Sequence, residues 1–561
     1  MTETATTNND AQSSSGRRDR AALAERVLII GLDGATFDVL TPMMDAGRMP
    51  RLRRFVEEGA AGVLRSTIPP ITPAAWTAVM TGKGPGGHGI IDFERYDVRT
   101  NRLSFNSTRC LDGVRSIWEI LGDKGFRVGS VNVPMTFPPT PINGFMISGF
   151  ETPSIDADFT YPRDLKDEIL RRFPNYTYKT KWRRKATGGE DLFRENLEYI
   201  KRSFHQGAEL TRFCGDRYGW DVLMVVFKLV DNLQHKTWKY LDPRTRDRYP
   251  ERAGLTAGCF DDLDVAIGEL LDYAGRHNAH VLMISDHGHG SLEGKVQPNL
   301  LLHRWGYLGL RGSWSRACTR MQHQLDRWTR RRKGKFAAGS FDLSRDLAVD
   351  FARTRAAVMH AGMNGFLYLN LQGRQETGIV QPADYEPLRD ELRRRFLAET
   401  CTTPDGRTIR VFPEVHKPEE LYGCSREHRE WLPDLLLVPA EALAVVRKIR
   451  ARSAVSWLPE RRMEGTHRVE GIFAAGGPGV ARGARIASDL VNTAPTVLAM
   501  MGLNIPDDMD GRVIDDAFEQ PLEAGTEPAA QPAATTSDTP VYSPDEEDTL
   551  SQRLRDLGYL E

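Results

Sequence analysis

The sequence predicts an α/β protein in which a largely parallel sheet carries helices on both faces. Three observations lead there. Arg26 to Leu32 is an unbroken aliphatic run of the kind that forms a strand buried on both faces. Comparable runs recur at Arg127–Val133, Asp221–Val230 and His280–Ser285, separated by segments of helical patterning, which is the rhythm of a parallel sheet. The chain has 561 residues, 40% hydrophobic and 27% charged, enough for one large domain with an insertion or for two domains.

Taken in order, residues 1–25 are polar, contain no apolar signal-peptide core and are expected to be disordered, with order setting in at about Ala24. Residues 26–302 form the first part of the core. There a helix follows the first strand as far as Met49 and another begins at Pro50. Thr72-Pro73 reads as the N-cap and first residue of a helix that ends at Thr81-Gly82. Further helices are expected at Pro162–Phe173, Asp191–Tyr218 and Phe260–Ala274. The rhythm lapses after Leu302, so residues 303–455 read as an inserted cap, with short strands at Gly365–Leu371 and Asp434–Val438. Residues 456–519 return to the core and include an apolar helix at Leu490–Met501. A Pro-, Ala- and Thr-rich linker covers 520–542. The last segment, 543–561, is a helix: Ser543-Pro544-Asp545-Glu546 is a capping box, Leu550, Leu554 and Leu557 line one face, and Gly558 stops it. Such a helix docks on its own chain or on a partner subunit, which makes a homo-oligomer one expectation.

Bulk properties exclude several functions. A formal net charge of −1 offers no global field for nucleic acid or an anionic membrane. No apolar run approaches the ~20 residues of a membrane helix, so a cytoplasmic protein is expected. The six cysteines are dispersed without a CxxC pair, which suggests neither a disulfide framework nor a thiolate zinc site. The basic stretch Arg316–Lys335, with Trp305, Trp314 and Trp328 nearby, reads as a solvated helix or a positive rim over an anionic substrate, with nucleic-acid binding as the alternative.

Seven residues carry the chemistry: Asp33, Thr72, Asp231, His235, Asp286, His287 and His467. Five of them follow apolar, strand-like runs, and open α/β sheets place their ligand crevice at strand ends. Carboxylates and imidazoles gathered there suit divalent cations with open positions for substrate. Each has a plainer reading alone: Asp33 could cap a helix, Asp231 and His235 could be surface neighbours one turn apart, and a Thr-Pro helix start is ordinarily structural. Asp286-His287 directly after a buried strand is harder to explain away, because two ionisable groups there need partners. His289 reads as a support for the ligands. A helix start would place the Thr72 hydroxyl at the positive end of a dipole, and a metal could make it nucleophilic.

In combination the motifs GLDGATFD, ITPAAWTAVMTG…HGI, DNLQH, SDHG and GTHRVEGIFAAGGPG resemble the alkaline phosphatase superfamily, nearest its type I phosphodiesterase/nucleotide pyrophosphatase branch. The resemblance covers roughly Arg26 to Ile514 outside the cap. It implies a three-layer α/β/α sandwich with a mostly parallel central sheet, and two divalent cations, usually zinc, with manganese also compatible with the N and O donors. By motif, Asp33, Thr72, Asp286 and His287 would hold one metal, and Asp231, His235 and His467 the other. Thr72 would attack phosphorus to give a phospho-threonine, later hydrolysed by water, and the substrate would be a small or polymeric phosphodiester or phosphomonoester. Two departures stand against nucleotide pyrophosphatase activity itself. Phe93 follows HGIID where that family carries a phosphate-binding asparagine, and Pro73 has no N–H to offer. Lys228 and Asn232, beside Asp231, are candidate replacement donors. The C/S-x-P-x-R motif of arylsulfatases does not match at Thr72, and phosphoglycerate mutases use serine. A phosphotransferase with an alcohol acceptor, or a metal-bound binding protein that has lost its catalytic donors, are the alternatives.

Overall fold

A computed structural model of the chain describes residues 18–111, 113–176, 182, 190–311, 349–423, 432–449, 452–530 and 541–557. Its centre is a nine-stranded sheet. In chain order the strands are β1 (Val27–Gly31), β2 (Ala60–Arg65), β3 (Val128–Val133), β4 (Gly144–Ser148), β5 (Thr160–Tyr161), β6 (Val222–Val226), β7 (His280–Ile284), β8 (Glu470–Gly476) and β9 (Arg485–Asp489). Across the sheet they run β9-β2-β8-β7-β1-β6-β3-β4-β5. Only β8 and the edge strand β5 are antiparallel to their neighbours.

Side chains of β1 alternate between two cores, as a strand must. Leu28 and Ile30 enter one core with residues from the helices Phe37–Asp45, Glu190–Tyr218, Leu229–Leu241 and Pro250–Arg276. Val27 and Ile29 enter the other, with Trp76, Val79, Leu121 and Val497. Each such aliphatic side chain contributes roughly 1.5–3 kcal/mol when buried, so slipping any central strand by one residue would exchange two filled faces. The outcome is the three-layer α/β/α arrangement that the strand rhythm predicts.

Two expected boundaries move. The run Asp221–Val230 is a strand only over Val222–Val226; Leu229–Leu241 is a helix. Leu229, Val230 and Leu233 belong to the helix's buried stripe, so the apolar run continues through a change of element that composition does not mark. Thr72 is the first residue of the Thr72–Thr81 helix and Ile71 is its cap, one residue earlier than expected. Gly82, in the left-handed conformation, ends that helix.

Between the two stretches of core lies a four-stranded antiparallel sheet, ordered Ala356–Ala361, Gly365–Leu369, Leu435–Val438, Glu414–His416, with the helix Tyr385–Ala398 packed on it. Its apolar cluster also takes in Leu301 and Leu302, and Ile91, Tyr96 and Val98 from the segment after the Thr72 helix. This sheet is therefore fastened to the core beside the segment that follows the Thr72 helix.

Residues 18–25, expected to be disordered, lie along the core instead: Asp19 and Arg20 donate to Gly502 O, and buried Ala24 donates to Met500 O. Part of the expected linker does the same, since Ile505 donates to Gly525 O and Asp507 to Glu527 O. The tail helix Pro544–Leu557 docks on its own chain, with Ser543 N–H donating to Glu546 Oε2 at 2.7 Å. The basic run Arg316–Lys335 and the stop at Gly558 lie outside the described residues. Among the described residues no helix is long and apolar enough to cross a membrane.

Candidate metal centre

Register brings the site together. Gly31, the last residue of β1, is opposite Val226 of β6 and Ile284 of β7, so the chain leaves all three strands at one edge. Asp33 follows β1, Lys228 and Asp231 follow β6, and Asp286 and His287 follow β7. A second piece closes over this edge: Gly288–Leu292 pairs antiparallel with Glu464–Arg468, placing His289 opposite His467. His235 lies one turn after Asp231 on the Leu229–Leu241 helix.

All these side chains are buried. The ligand atoms of Asp231, His235, His289 and His467 lie within 4.8 Å of one another, as do those of Asp33, Asp231 and His287. Asp231 thus belongs to both groups. Asp286 lies beside them: its Oδ1 accepts the Gly34 N–H at 3.0 Å and its Oδ2 is 3.4 Å from His287 Nε2. Thr72 is fully buried, and residues on either side of it touch this cluster. Trp76, one turn on, donates its indole N–H to Asp33 Oδ2 at 2.8 Å, and Pro70 O lies 2.8 Å from His467 Nδ1. Gly34 has φ +68, and a Cβ there would stand 2.7 Å from His289 Nδ1 and 3.2 Å from Asp231 Oδ1, so only glycine lets the chain turn this close.

The four imidazoles share one orientation. Nδ1 of His235 faces Gly465 O at 2.8 Å, that of His467 faces Pro70 O at 2.8 Å, that of His287 faces Gly288 O at 3.0 Å, and that of His289 faces Gly34 O at 3.0 Å. A carbonyl accepts only, so each Nδ1 carries the proton and each Nε2 presents a lone pair. Nε2 of His235 and His467 are 2.9 Å apart, and they lie 3.1 and 3.4 Å from Asp231 Oδ1. Lone pairs and a carboxylate oxygen at these separations repel unless a cation is shared among them. Nε2 of His287 and His289 and Oδ2 of Asp286 are buried and make no hydrogen bond among the described residues. This donor set, oriented from behind by backbone carbonyls, fits divalent cations.

Electrostatics agree. Burial pushes His287 and His289 well below the ordinary histidine range and His467 down to about 4, keeping their Nε2 atoms unprotonated. Burial pushes Asp33 up to about 7 and Asp286 well above the carboxylate range. Asp231 is the exception: burial would raise it, but the positive charge of His235 when that imidazole is protonated, and that of Lys228, outweigh burial and hold it well below the usual value. Lys228 Nζ bridges Asp33 Oδ1, at 3.0 Å, and Asp231 Oδ2. The ammonium expected to meet substrate is therefore engaged by the site's own carboxylates. Asn232 is buried on the same helix.

Phe93 stands edge-on to Phe150, with ring centroids 5.5 Å apart at 80°, in an apolar cluster with Ile71, Ala74 and Leu554. Where the family's asparagine would offer an amide, this chain has a packed aromatic ring. His289 is the member that sequence reasoning set aside. Its signal was the alternation in Asp286-His287-Gly288-His289-Gly290, but only the pairing with His467 shows which face it joins.

Alongside the mostly parallel, three-layer sheet with buried carboxylates and imidazoles at its strand ends, a family match makes this chain a phosphoric ester hydrolase. The chain belongs to the type I phosphodiesterase/nucleotide pyrophosphatase family, whose profile matches residues 27–469. Among solved structures it is similar to phosphonoacetate hydrolase from Sinorhizobium meliloti 1021, crystallised with phosphonoformate and with phosphonoacetate. The identity is 17% over 85% of this chain and 97% of that one, with a TM-score of 0.52. It is also similar to murine ectonucleotide pyrophosphatase/phosphodiesterase 5, at 13% identity over 85% of this chain and 95% of that one, with a TM-score of 0.47. No curated protein matches the chain.

Proposed function

We propose that the protein hydrolyses a phosphodiester or phosphomonoester through a covalent phospho-threonine on Thr72, at a dinuclear site for which zinc is the first choice and manganese the second. The observation that carries this reading is the convergence of four Nε2 lone pairs with the carboxylates Asp33, Asp231 and Asp286 beside a buried threonine at a helix start. Asp231, His235, His289 and His467 would hold one cation, and Asp33, His287, Asp286 and Thr72 the other, with Asp231 near both. Bound there, the cations would lower the pKa of the threonine hydroxyl and of water and screen phosphoryl charge.

The chain's own residues do the rest. Trp76 fixes the Thr72–Thr81 helix against Asp33, and Thr72 Oγ1 would be presented from its first turn. Thr72 gives up its hydroxyl proton to solvent, Oγ1 forms the new bond to phosphorus as the bond to the departing oxygen breaks, and the departing alkoxide takes a proton from solvent. Water then cleaves the threonyl ester, regenerating Thr72 and releasing the second product. Phe93 and Pro73 donate nothing to the phosphoryl group, which sets this site apart from a nucleotide pyrophosphatase. The neutralising charge of Lys228 lets Asp33 and Asp231 stand close together.

The test uses p-nitrophenyl phosphate and bis(p-nitrophenyl) phosphate with added zinc or manganese. Thr72→Ala is expected to lower kcat by about three orders of magnitude or more while retaining bound metal. Equal turnover by wild type and Thr72→Ala would reject the covalent route.

A further inference from the structure

We infer that the C-terminal helix Pro544–Leu557 is a resident part of the active site, with Arg553 as a positioning residue that fixes Phe150 beneath Lys228 and steadies the start of the Thr72 helix.

The helix does not merely cover surface. Leu554, 2% exposed, packs in one cluster with Ile71, Ala74, Phe93 and Phe150. Ile71 and Ala74 flank Thr72 and Pro73, so this contact bears on the first turn of the nucleophile's helix. Arg553, 9% exposed, donates Nη1 to Phe150 O and, at 2.8 Å, to Thr152 O, and Nη2 to Pro153 O at 3.1 Å. A guanidinium with its planar donors spread over three carbonyls holds a short loop in one conformation. That loop carries Phe150, whose ring centre lies 5.3 Å from Lys228 Nζ, and Lys228 in turn bridges Asp33 and Asp231. A second anchor keeps the helix in place: Tyr542 stacks on Phe137 at 5.6 Å and 20°, and Leu550 packs with both.

Two chains of contact thus run from the tail into the site, one to the nucleophile segment through Leu554 and one to the cation between the carboxylates through Arg553. Among the described residues, the contacts that make up these two chains do not include the four imidazoles. Loosening the tail is therefore expected to shift Thr72 and Lys228 slightly and to cost rate far more than cation affinity. This rests on the reading of Thr72 as nucleophile.

The experiment uses the full-length chain carrying Arg553→Met, with Arg553→Lys as the conservative variant. Displacing a nucleophile slightly costs rate rather than binding, so Arg553→Met is expected to lower kcat for bis(p-nitrophenyl) phosphate roughly tenfold or more, with KM changed less than about threefold. Manganese stoichiometry should be unchanged, and Arg553→Lys should recover kcat to within about threefold of wild type. Hydrogen exchange, which needs no activity, should quicken in Arg553→Met over residues 70–76 and 149–153 and stay unchanged in β6. Wild-type kcat together with wild-type exchange in Arg553→Met would overturn the inference. So would a loss of rate that tracks loss of metal or global unfolding at the assay temperature. A wild-type chain inert toward both esters would defeat the proposed function, and the exchange comparison would still decide whether the tail holds these segments.

Discussion

His289 stands directly opposite His467 in an antiparallel strand pair, and both turn Nε2 toward Asp231 Oδ1, each at 3.4 Å. On this geometry we propose His289 as a ligand in the Asp231 group rather than a support behind it. His289→Ala is expected to weaken one of two bound cations by roughly 10–100-fold or more and leave the other in place. Elemental analysis after dialysis against limiting metal checks this. Two tightly held equivalents in the variant would return His289 to a supporting role.

Cation binding is expected to strengthen as pH rises, and carboxyls rather than imidazoles should set the range. Burial first, with the charge of Asp231 adding, pushes Asp33 up to about 7, and Asp286 stands well above the carboxylate range. Both hold protons that a cation must displace. The imidazoles of His287, His289 and His467 titrate below their ordinary range and release none near neutrality. Apparent manganese affinity, measured by calorimetry in buffers of differing ionisation enthalpy, should rise about tenfold per displaced proton for each pH unit up to 7, and continue upward beyond. A curve flat above pH 6 would assign the protons to ordinary histidines.

Glu151 makes a stability prediction. Its Oε1 accepts the Met135 N–H at 2.9 Å, and burial pushes it up to about 7 from an ordinary 4.5, against the lowering effect of backbone hydrogen bonds, Lys228 and Arg553. Between these values the unfolded chain has released this proton and the folded chain still holds it. Folding therefore loses stability as pH rises from 4.5 to 7, by roughly 3 kcal/mol, and the contribution is level above that. Glu151→Gln is expected to match wild type near pH 4.5 and to exceed it by up to about 3 kcal/mol at pH 8, read from urea midpoints with chelator present. A variant less stable than wild type at pH 8 would mean that the carboxylate is ionised and paired.

Much of the architecture was legible because its signals are local. Val27–Gly31 and His280–Ile284 are aliphatic throughout, as strands covered on both faces are, and each is followed at once by a carboxylate. The turn at Phe227-Lys228 was not legible, because Leu229 and Val230 are as apolar as the strand before them and only their periodicity differs. The nearness of His289 to the Asp231 group was not legible because it depends on a register with His467, nearly two hundred residues away by rough count, and pairing at that range leaves no local mark. The order of residues 18–25 was missed for a related reason: their partners are the backbone oxygens of Met500 and Gly502, which any sequence would supply. Leu550 and Leu554 announced a docking face for the tail helix, but nothing in their spacing said that the face meets Phe93 and Phe150.

The pairing of Gly288–Leu292 with Glu464–Arg468 also bears on how the protein comes into being. Asp33, Asp231 and His287 leave the ribosome before the inserted sheet, whereas His467 follows it. A nascent or proteolytically shortened chain that stops within the cap carries Asp33, Asp231 and His287 but lacks His467, the third imidazole of the neighbouring group. Translation order alone would thus delay completion of the proposed metal site until the cap has been made.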